Sequence, residues 1–298
     1  MPPRITTSEK KDKSFSKVIT IRGIDKLLFE QFVSLTRSWG KNTGEIFSTI
    51  LSNFLQSGGG SHIYLPALEK RLEGNLFKHL EIIEDLDELF INYEDLSSVP
   101  QGVKFYFNNI KKLIFAEDIN AQVLQEYVYR IKNCLVQQPR RVKKLVFLSL
   151  LQNYPEYSTN GRELKDVTIR NVKEQTWSNF KAFCQMHNSN VGTLLNHILW
   201  EIIPEMEITQ ILFSKLKNSQ MNTLLISSQQ EVVINKADLL EIAPQHVLFH
   251  RIKKLTFQED ISSELFVERV KGIYNCSSVK FPKQFSKLLK LSRVKYYP

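Results

Sequence analysis

Residues Lys17–Phe32 read KVITIRGIDKLLFEQF, and Lys165–Phe180 read KDVTIRNVKEQTWSNF. In the first stretch Val18-Ile19-Thr20-Ile21-Arg22 is β-branched and alternates in character, which predicts a short strand. Ile19 and Ile21 fall on one face and Thr20 and Arg22 on the other. Gly23 is expected to end the strand. Apolar residues then return at helical spacing, at Leu28, Phe29, Phe32, Leu35 and Trp39. After Gly40-Lys41, Asn42 is a good N-cap for a second helix with Ile46, Phe47, Ile50, Leu51 and Phe54 inward. The second stretch repeats this plan. Val167 and Ile169 face in, Thr168 and Arg170 face out, and Trp177, Phe180, Phe183 and Cys184 line a helix. Asn190 caps another, carrying Leu194, Leu195, Ile198, Leu199 and Ile202, which Pro204 is expected to stop.

The two stretches align without a gap at an offset of 165 − 17 = 148. Thr-Ile-Arg recurs at 20–22 and 168–170, and Asn42-x-Gly44 matches Asn190-x-Gly192. A second pair is closer: Ile110–Cys134 and Ile252–Cys276 align at 252 − 110 = 142, with about half of the positions identical. The order is therefore A-B-A′-B′, which implies duplication of a two-part ancestor. The expected organisation is a flexible basic arm (1–16, with Arg4, Lys10, Lys11 and Lys13), unit A (17–56), segment B (62–153), unit A′ (165–203) and segment B′ (205–298). Ser57-Gly58-Gly59-Gly60-Ser61 reads as a loose linker, and Tyr154–Gly161 as a turn-rich passage.

A lone strand with two helices has unpaired edges and too small a core, so it needs a twin. The plan of ITIR, amphipathic helix, capped turn with Gly and second helix resembles the ribbon-helix-helix (MetJ/Arc-type) family of DNA-binding proteins. The family's usual strand has the form I-T-V-R-L-P. Ile19–Arg22 and Val167–Arg170 match it, while Gly23 and Asn171 depart from it where an apolar residue is usual. The resemblance covers roughly a quarter of the chain. It implies a two-stranded ribbon in the major groove of double-stranded DNA, with Thr20, Arg22, Thr168 and Arg170 facing the bases. Arg suits guanine O6 and N7, and Thr suits several bases or the thymine methyl. It further implies a phosphate held at each second helix start, around Asn42-Thr43-Gly44 and Asn190-Val191-Gly192, where amides and helix dipole converge. The third-position Gly would let the phosphate approach. Asp166 lies on the outward parity of the second strand, where it repels phosphate, so the two halves are expected to read DNA unequally.

Pairing of A with A′ inside one chain is the favoured arrangement, giving a monomer with an intrachain pseudo-dimer. The rival is a homodimer or a DNA-bridging assembly. The fold class expected is α+β, with each ribbon-helix-helix unit followed by a duplicated small α/β domain, leucine-rich-repeat-like or otherwise compact. Candidate strands in the B segments are Leu89–Tyr93, Lys112–Phe115, Lys144–Leu148, Val232–Asn235, Lys254–Phe257, Gly272–Asn275 and Leu288–Ser292. Helices are expected at Ile119–Tyr129 and Ile261–Val270.

Other chemistry is sparse. Glu117-Asp118 and Glu259-Asp260 sit before helices, where capping explains them better than catalysis. Asn133-Cys134 and Asn275-Cys276 have no recurring His partner and read as buried strand ends. His246 and His250 have metal-compatible spacing but no third ligand. No P-loop or GxGxxG is present, and no cofactor is implied. The three cysteines are too scattered for a disulfide framework. With 298 residues, 40 Lys+Arg against 31 Asp+Glu and a net charge of +9, the chain favours an anionic partner. Basic runs at Arg140–Lys144 and Lys280–Lys295 would extend a DNA footprint along the backbone. No apolar run approaches a bilayer span, so no membrane role is expected. The expectation is a non-enzymatic, cytoplasmic DNA-binding protein on the nucleoid, acting as a transcriptional regulator or a nucleoid or partition architectural factor. The alternative is a protein-interaction scaffold in which the ribbon serves only assembly and the B segments bind other proteins.

Overall fold

A computed structural model describes residues 16–56, 79–100, 102–153, 157–216 and 223–295. Residues 1–15 of the expected N-terminal arm, the linker at Ser57–Ser61 and residues Tyr154, Pro155 and Glu156 of the turn-rich passage lie outside them, and Ser16 opens the first strand. The chain is a mixed α/β protein with several sheets, and its contacts divide it into two compact units. The first holds residues 1–64 and 157–203, and the second holds 65–156 and 204–298.

In the first unit β1 (Ser16–Asp25) and β8 (Leu164–Lys173) form a two-stranded antiparallel ribbon. Thr20 pairs with Thr168, flanked by Ile19 with Ile169 and Ile21 with Val167. Alternation buries the isoleucines and valine and leaves Val18, Thr20, Arg22, Asp166, Thr168 and Arg170 exposed. Gly23 does not end the strand. The register shifts between Ile21 and Ile24, so Arg22-Gly23 bulges opposite Asp166, and Gly23 takes φ +70°. Arg170-Asn171 bulges likewise opposite Val18, with Asn171 at φ +61°. Left-handed backbone suits Gly and, after it, Asn, which accounts for both departures from an apolar residue at this position.

Each strand feeds two helices: α1 (Lys26–Ser38) and α2 (Thr43–Gln56) after β1, then α6 (Glu174–Met186) and α7 (Val191–Leu216) after β8. Phe32, Leu35, Phe47, Ile50, Leu51 and Phe54 bury their side chains with Trp177, Phe180, Leu195, Ile198 and Leu199. Aromatic contacts cross between the halves: Phe54 meets Phe180 at 5.8 Å and Phe183 at 5.1 Å, both edge-on. Pro204 does not stop α7. The proline removes one amide from the helix ladder but leaves the other helical hydrogen bonds in place.

The second unit is a stack of coils running strand, tight turn, short strand and helix, with an isolated bridge of Val136 to Leu113 in place of the short strand after Lys132. One parallel sheet contains β2 (His79–Glu84), β4 (Val103–Asn108), β6 (Val128–Lys132) and β7 (Leu151–Gln152). Another contains β9 (Thr223–Ser227), β11 (His246–His250), β13 (Val270–Tyr274) and β15 (Val294–Lys295). Shorter parallel sheets join β3 (Leu89–Ile91) to β5 (Leu113–Phe115), and β10 (Glu231–Ile234) to β12 (Lys254–Phe257) and β14 (Ser278–Lys280). Paired residues lie one coil apart, as in Leu89 with Leu113 (113 − 89 = 24) and Thr223 with His246 (246 − 223 = 23). Helices α3 (Tyr93–Ser97), α4 (Ala121–Tyr127), α5 (Lys144–Leu150), α8 (Lys236–Glu241), α9 (Ser263–Arg269) and α10 (Lys287–Arg293) complete the coils.

The turns build their own ladder. Asp85, Asn109, Asn133, Ser228, Arg251 and Asn275 all have positive φ. Each donates its amide to the last strand residue of the next coil: Asp85 to Asn108, Asn109 to Lys132, Asn133 to Gln152, Ser228 to His250, Arg251 to Tyr274 and Asn275 to Lys295. Between the two series, Asn153 donates to the Ser228 carbonyl at 3.2 Å, and Gln229 Nε2 donates to the Leu151 carbonyl at 2.9 Å. Segments B and B′, expected as separate domains, therefore stack, and their apolar residues belong to one core that runs from Ile91 to Phe285.

Two expected strands are helices. Lys144–Leu148 begins α5, whose Leu145, Val146, Phe147 and Leu150 are buried, and Leu288–Ser292 lies within α10. A short run of mostly apolar residues has no period to separate strand from buried helix. The Glu-Asp pairs act between coils. Asp118 accepts from the Tyr93 amide and Asp260 from the Lys236 amide, so each caps the helix of the preceding coil. The helices that follow them are capped by Asn120 and Ser262.

Candidate nucleic-acid interface

The outward face of the ribbon presents six side chains in two rows: Val18, Thr20 and Arg22 from β1, and Arg170, Thr168 and Asp166 from β8. Thr20 and Thr168 meet at the centre, with their hydroxyls 3.4 Å apart. Arg22 Nε lies 4.0 Å from Asp166 Oδ2, and the two side chains are 91% and 61% exposed. The corresponding place beside Arg170 is held by Val18, 61% exposed. Among the described residues no ion pair is found for Arg170. The sequence-predicted base-facing residues Thr20, Arg22, Thr168 and Arg170 thus share one surface, and Asp166 makes its two ends chemically different. Val18 was not singled out from sequence; its parity with Thr20 was the available signal.

Lysines flank the face. Lys17 pairs with Glu174 at 3.1 Å, and Lys165 with Glu30 at 2.9 Å. The hydrogen bond from Lys165 holds the Glu30 carboxyl below its usual range.

The two helix starts are built alike. Asn42 Oδ1 accepts from Gly44 N at 2.9 Å and Glu45 N at 3.4 Å, and Asn190 Oδ1 accepts from Gly192 N at 2.8 Å and Thr193 N at 3.2 Å. Thr43 Oγ1 meets Thr36 Oγ1 at 2.9 Å. The glycines have a packing reason different from the expected one. Both are buried, and a Cβ would lie 1.9 Å from Arg170 O at Gly44 and 2.2 Å from Arg22 O at Gly192. The close approach is to the bulge of the opposite strand, not to an open surface. First-turn amides have no intrahelical acceptor; the asparagines take those of the second and third positions, and among the described residues no acceptor is found for the Thr43 and Val191 amides.

A buried network fixes the ribbon ends. Asp25 N donates to Asn196 Oδ1 at 2.9 Å, and Asn196 Nδ2 returns to Gly23 O at 3.0 Å. At the other end Lys173 N donates to Ser48 Oγ, which donates to Gly44 O. The Asp25 carboxylate caps α1 through Leu28 N and accepts from Arg162 Nη1 at 2.7 Å and the Tyr157 hydroxyl at 3.3 Å. Burial and the nearby Asp25 charge push the Tyr157 hydroxyl to about 12. The Arg162 guanidinium lies over the Trp200 ring at 4.8 Å. An Asp directly before an amphipathic run is an N-cap signature, and it was the readable sign of this network.

In the second unit His250 is fully buried between Glu207 Oε2, 2.8 Å from Nε2, and Ser227 Oγ, 3.0 Å from Nδ1. Arg251 makes a two-pronged contact to the same carboxylate. Ser227 is 3% exposed and the imidazole 0%, so the hydroxyl has no open side for a substrate. Burial alone would raise the Glu207 carboxyl; hydrogen bonds from His250 and Arg251 outweigh it and hold it at about 2. Burial lowers the His250 pKa. His246 and His250 lie on strand β11, and His246 Nδ1 contacts the Glu268 carbonyl. No group of three or more His, Cys, Asp or Glu able to hold a metal occurs among the described residues. Cys134 and Cys276 sit just past strand ends, with their sulfurs near the carbonyls of Lys132 and Tyr274.

No protein-family model, curated protein or solved structure matches the chain. No helix among the described residues is long and apolar enough to cross a membrane.

Proposed function

We propose that the protein binds double-stranded DNA by laying the β1–β8 ribbon in the major groove. The observation that carries this reading is the six-residue outward face, which sets Thr20, Arg22, Thr168 and Arg170 on one side of an antiparallel ribbon. A two-stranded ribbon fits the roughly 12 Å width of the major groove, and Arg and Thr match base-edge chemistry there. The pairing of β1 with β8 and the matched helix starts at Asn42 and Asn190 support a ribbon-helix-helix pseudo-dimer made by one duplicated chain. The Thr43 and Val191 amides, each at the positive end of a helix dipole, would clamp phosphates, with the basic balance of the chain adding long-range attraction. The coil period and turn ladder of the second unit support a leucine-rich-repeat-like stack, offering a surface for protein partners. The whole reads as a monomeric, nucleoid-associated regulator or architectural factor.

The test is a gel-shift titration on random-sequence duplex across a salt series. Affinity is expected to fall steeply as salt rises, because each neutralised phosphate releases counterions. Absence of any shift at low salt would leave the ribbon as an assembly device and favour the scaffold.

A further inference from the structure

The outward face of the ribbon is symmetric at four of its six positions, since Thr20 matches Thr168 and Arg22 matches Arg170. The remaining pair breaks the symmetry: Asp166 stands beside Arg22, and Val18 stands in the equivalent place beside Arg170. Both are exposed, and neither belongs to the core, so packing does not explain the difference.

A carboxylate aimed at DNA is repelled by phosphates and by the acceptor-rich edges of guanine and thymine. It finds a partner only where an amino group points into the major groove, at cytosine N4 or adenine N6. A valine at the same depth has no hydrogen bond to offer and gains only from apolar contact, which the thymine C5-methyl supplies. With Arg22 Nε 4.0 Å from the carboxylate, the edges met by the two side chains lie in one base pair or in adjacent ones, which are about 3.4 Å apart.

Resting on the DNA-binding reading above, we infer that the protein recognises a non-palindromic duplex site, in which Asp166 selects an amino-bearing base, cytosine or adenine, in one half and Val18 selects a thymine methyl in the other. Asp166 is the specificity-determining residue, because it confines Arg22 to a guanine that has such a base next to it.

Selection of bound duplexes from a random pool tests this with the full-length protein, its Asp166→Val variant and its Val18→Asp variant. Valine is tolerated at the equivalent exposed position, so Asp166→Val is expected to keep its fold, which circular dichroism checks. The wild type should enrich an asymmetric site with C or A in one half and T in the other. Asp166→Val should enrich a site symmetric about its centre, with T in both halves, and Val18→Asp one with C or A in both. Replacing the selected thymine by uracil should weaken wild-type binding about fivefold or more. A palindromic wild-type site, no enrichment despite salt-dependent binding, or the same site for wild type and Asp166→Val would overturn the inference and leave DNA binding standing. Loss of the guanine alone in Asp166→Val, with no C or A preference in the wild type, would make Asp166 a positioning residue for Arg22 and also overturn it. No binding by the wild type at low salt would instead overturn the DNA-binding reading.

Discussion

Gly44 and Arg170 touch backbone to backbone: a Cβ on Gly44 would lie 1.9 Å from the Arg170 carbonyl oxygen. Gly192 stands in the same relation to Arg22, at 2.2 Å. Each second helix therefore begins against the bulge of the strand contributed by the other half. Gly44→Ala and Gly192→Ala should each destabilise the ribbon unit by about 3 kcal/mol or more, since neither partner is a side chain able to move aside. Urea denaturation measures the loss. Unchanged midpoints would show that the bulges shift freely.

Arg22→Ala and Arg170→Ala should each cost about 1–3 kcal/mol at the preferred site if they touch bases. On random duplex the two should differ. Arg22 is already partly neutralised by Asp166, so Arg170→Ala should lose more nonspecific affinity, and Asp166→Asn should gain some. Fluorescence anisotropy with one duplex pool for all three variants makes the comparison, and equal losses for the two arginines would count against the asymmetry.

Asp25 joins α1, Tyr157 and Arg162 while almost fully buried. Asp25→Ala should cost about 3 kcal/mol, because it removes a helix cap and strands a partly buried guanidinium. Adding Arg162→Met should recover part of that loss. A double variant that is additive in a thermal-melt cycle would show that the pair does not interact.

The Glu207–His250–Arg251 cluster makes the second unit acid-sensitive. The Glu207 carboxyl is held at about 2 when folded, below its unfolded value, so it contributes stability above about pH 4.5 that is lost as pH falls toward 2. His250 is held below its ordinary range, so it too favours the folded state at higher pH and opposes it once protonated in the unfolded chain. Stability should therefore fall on acidification from about pH 6.5 downward. Glu207→Gln should flatten the lower part of that slope, by about 3 kcal/mol between pH 5 and 2. Denaturant titrations at pH 7, 5, 3 and 2 give the slope directly, and identical slopes would remove Glu207 from the account.

The ribbon face was legible because two-residue alternation around Ile19, Ile21, Val167 and Ile169 survives any error in strand length. The helix starts were legible because Asn42 and Asn190 are N-caps with their glycines at matching places. Four things were not. Positive φ at Gly23 and Asn171 makes a bulge inside each strand, whereas Gly23 in the sequence has the signature of a strand end. The purpose of Gly44 and Gly192 depends on the carbonyls of residues more than a hundred positions away. In the second unit, runs such as Lys144–Leu150 are buried on most sides, so helix and strand leave the same apolar signature. The repeat at Ile110 and Ile252 was plain, but that the segments share one core rests on contacts such as Asn153 with Ser228, which no local pattern announces.

The pairing of Thr20 with Thr168 spans 148 residues of chain, with much of the second unit encoded between them. At a synthesis rate of about 5–20 residues per second, β8 emerges from the ribosome roughly 7–30 s after β1. Throughout that interval β1 has no partner strand from its own chain, whereas the strands of segment B already find partners within it. On a crowded polysome an adjacent nascent chain's β8 is a competitor for β1, and the shorter tether within its own chain is what biases the match toward self.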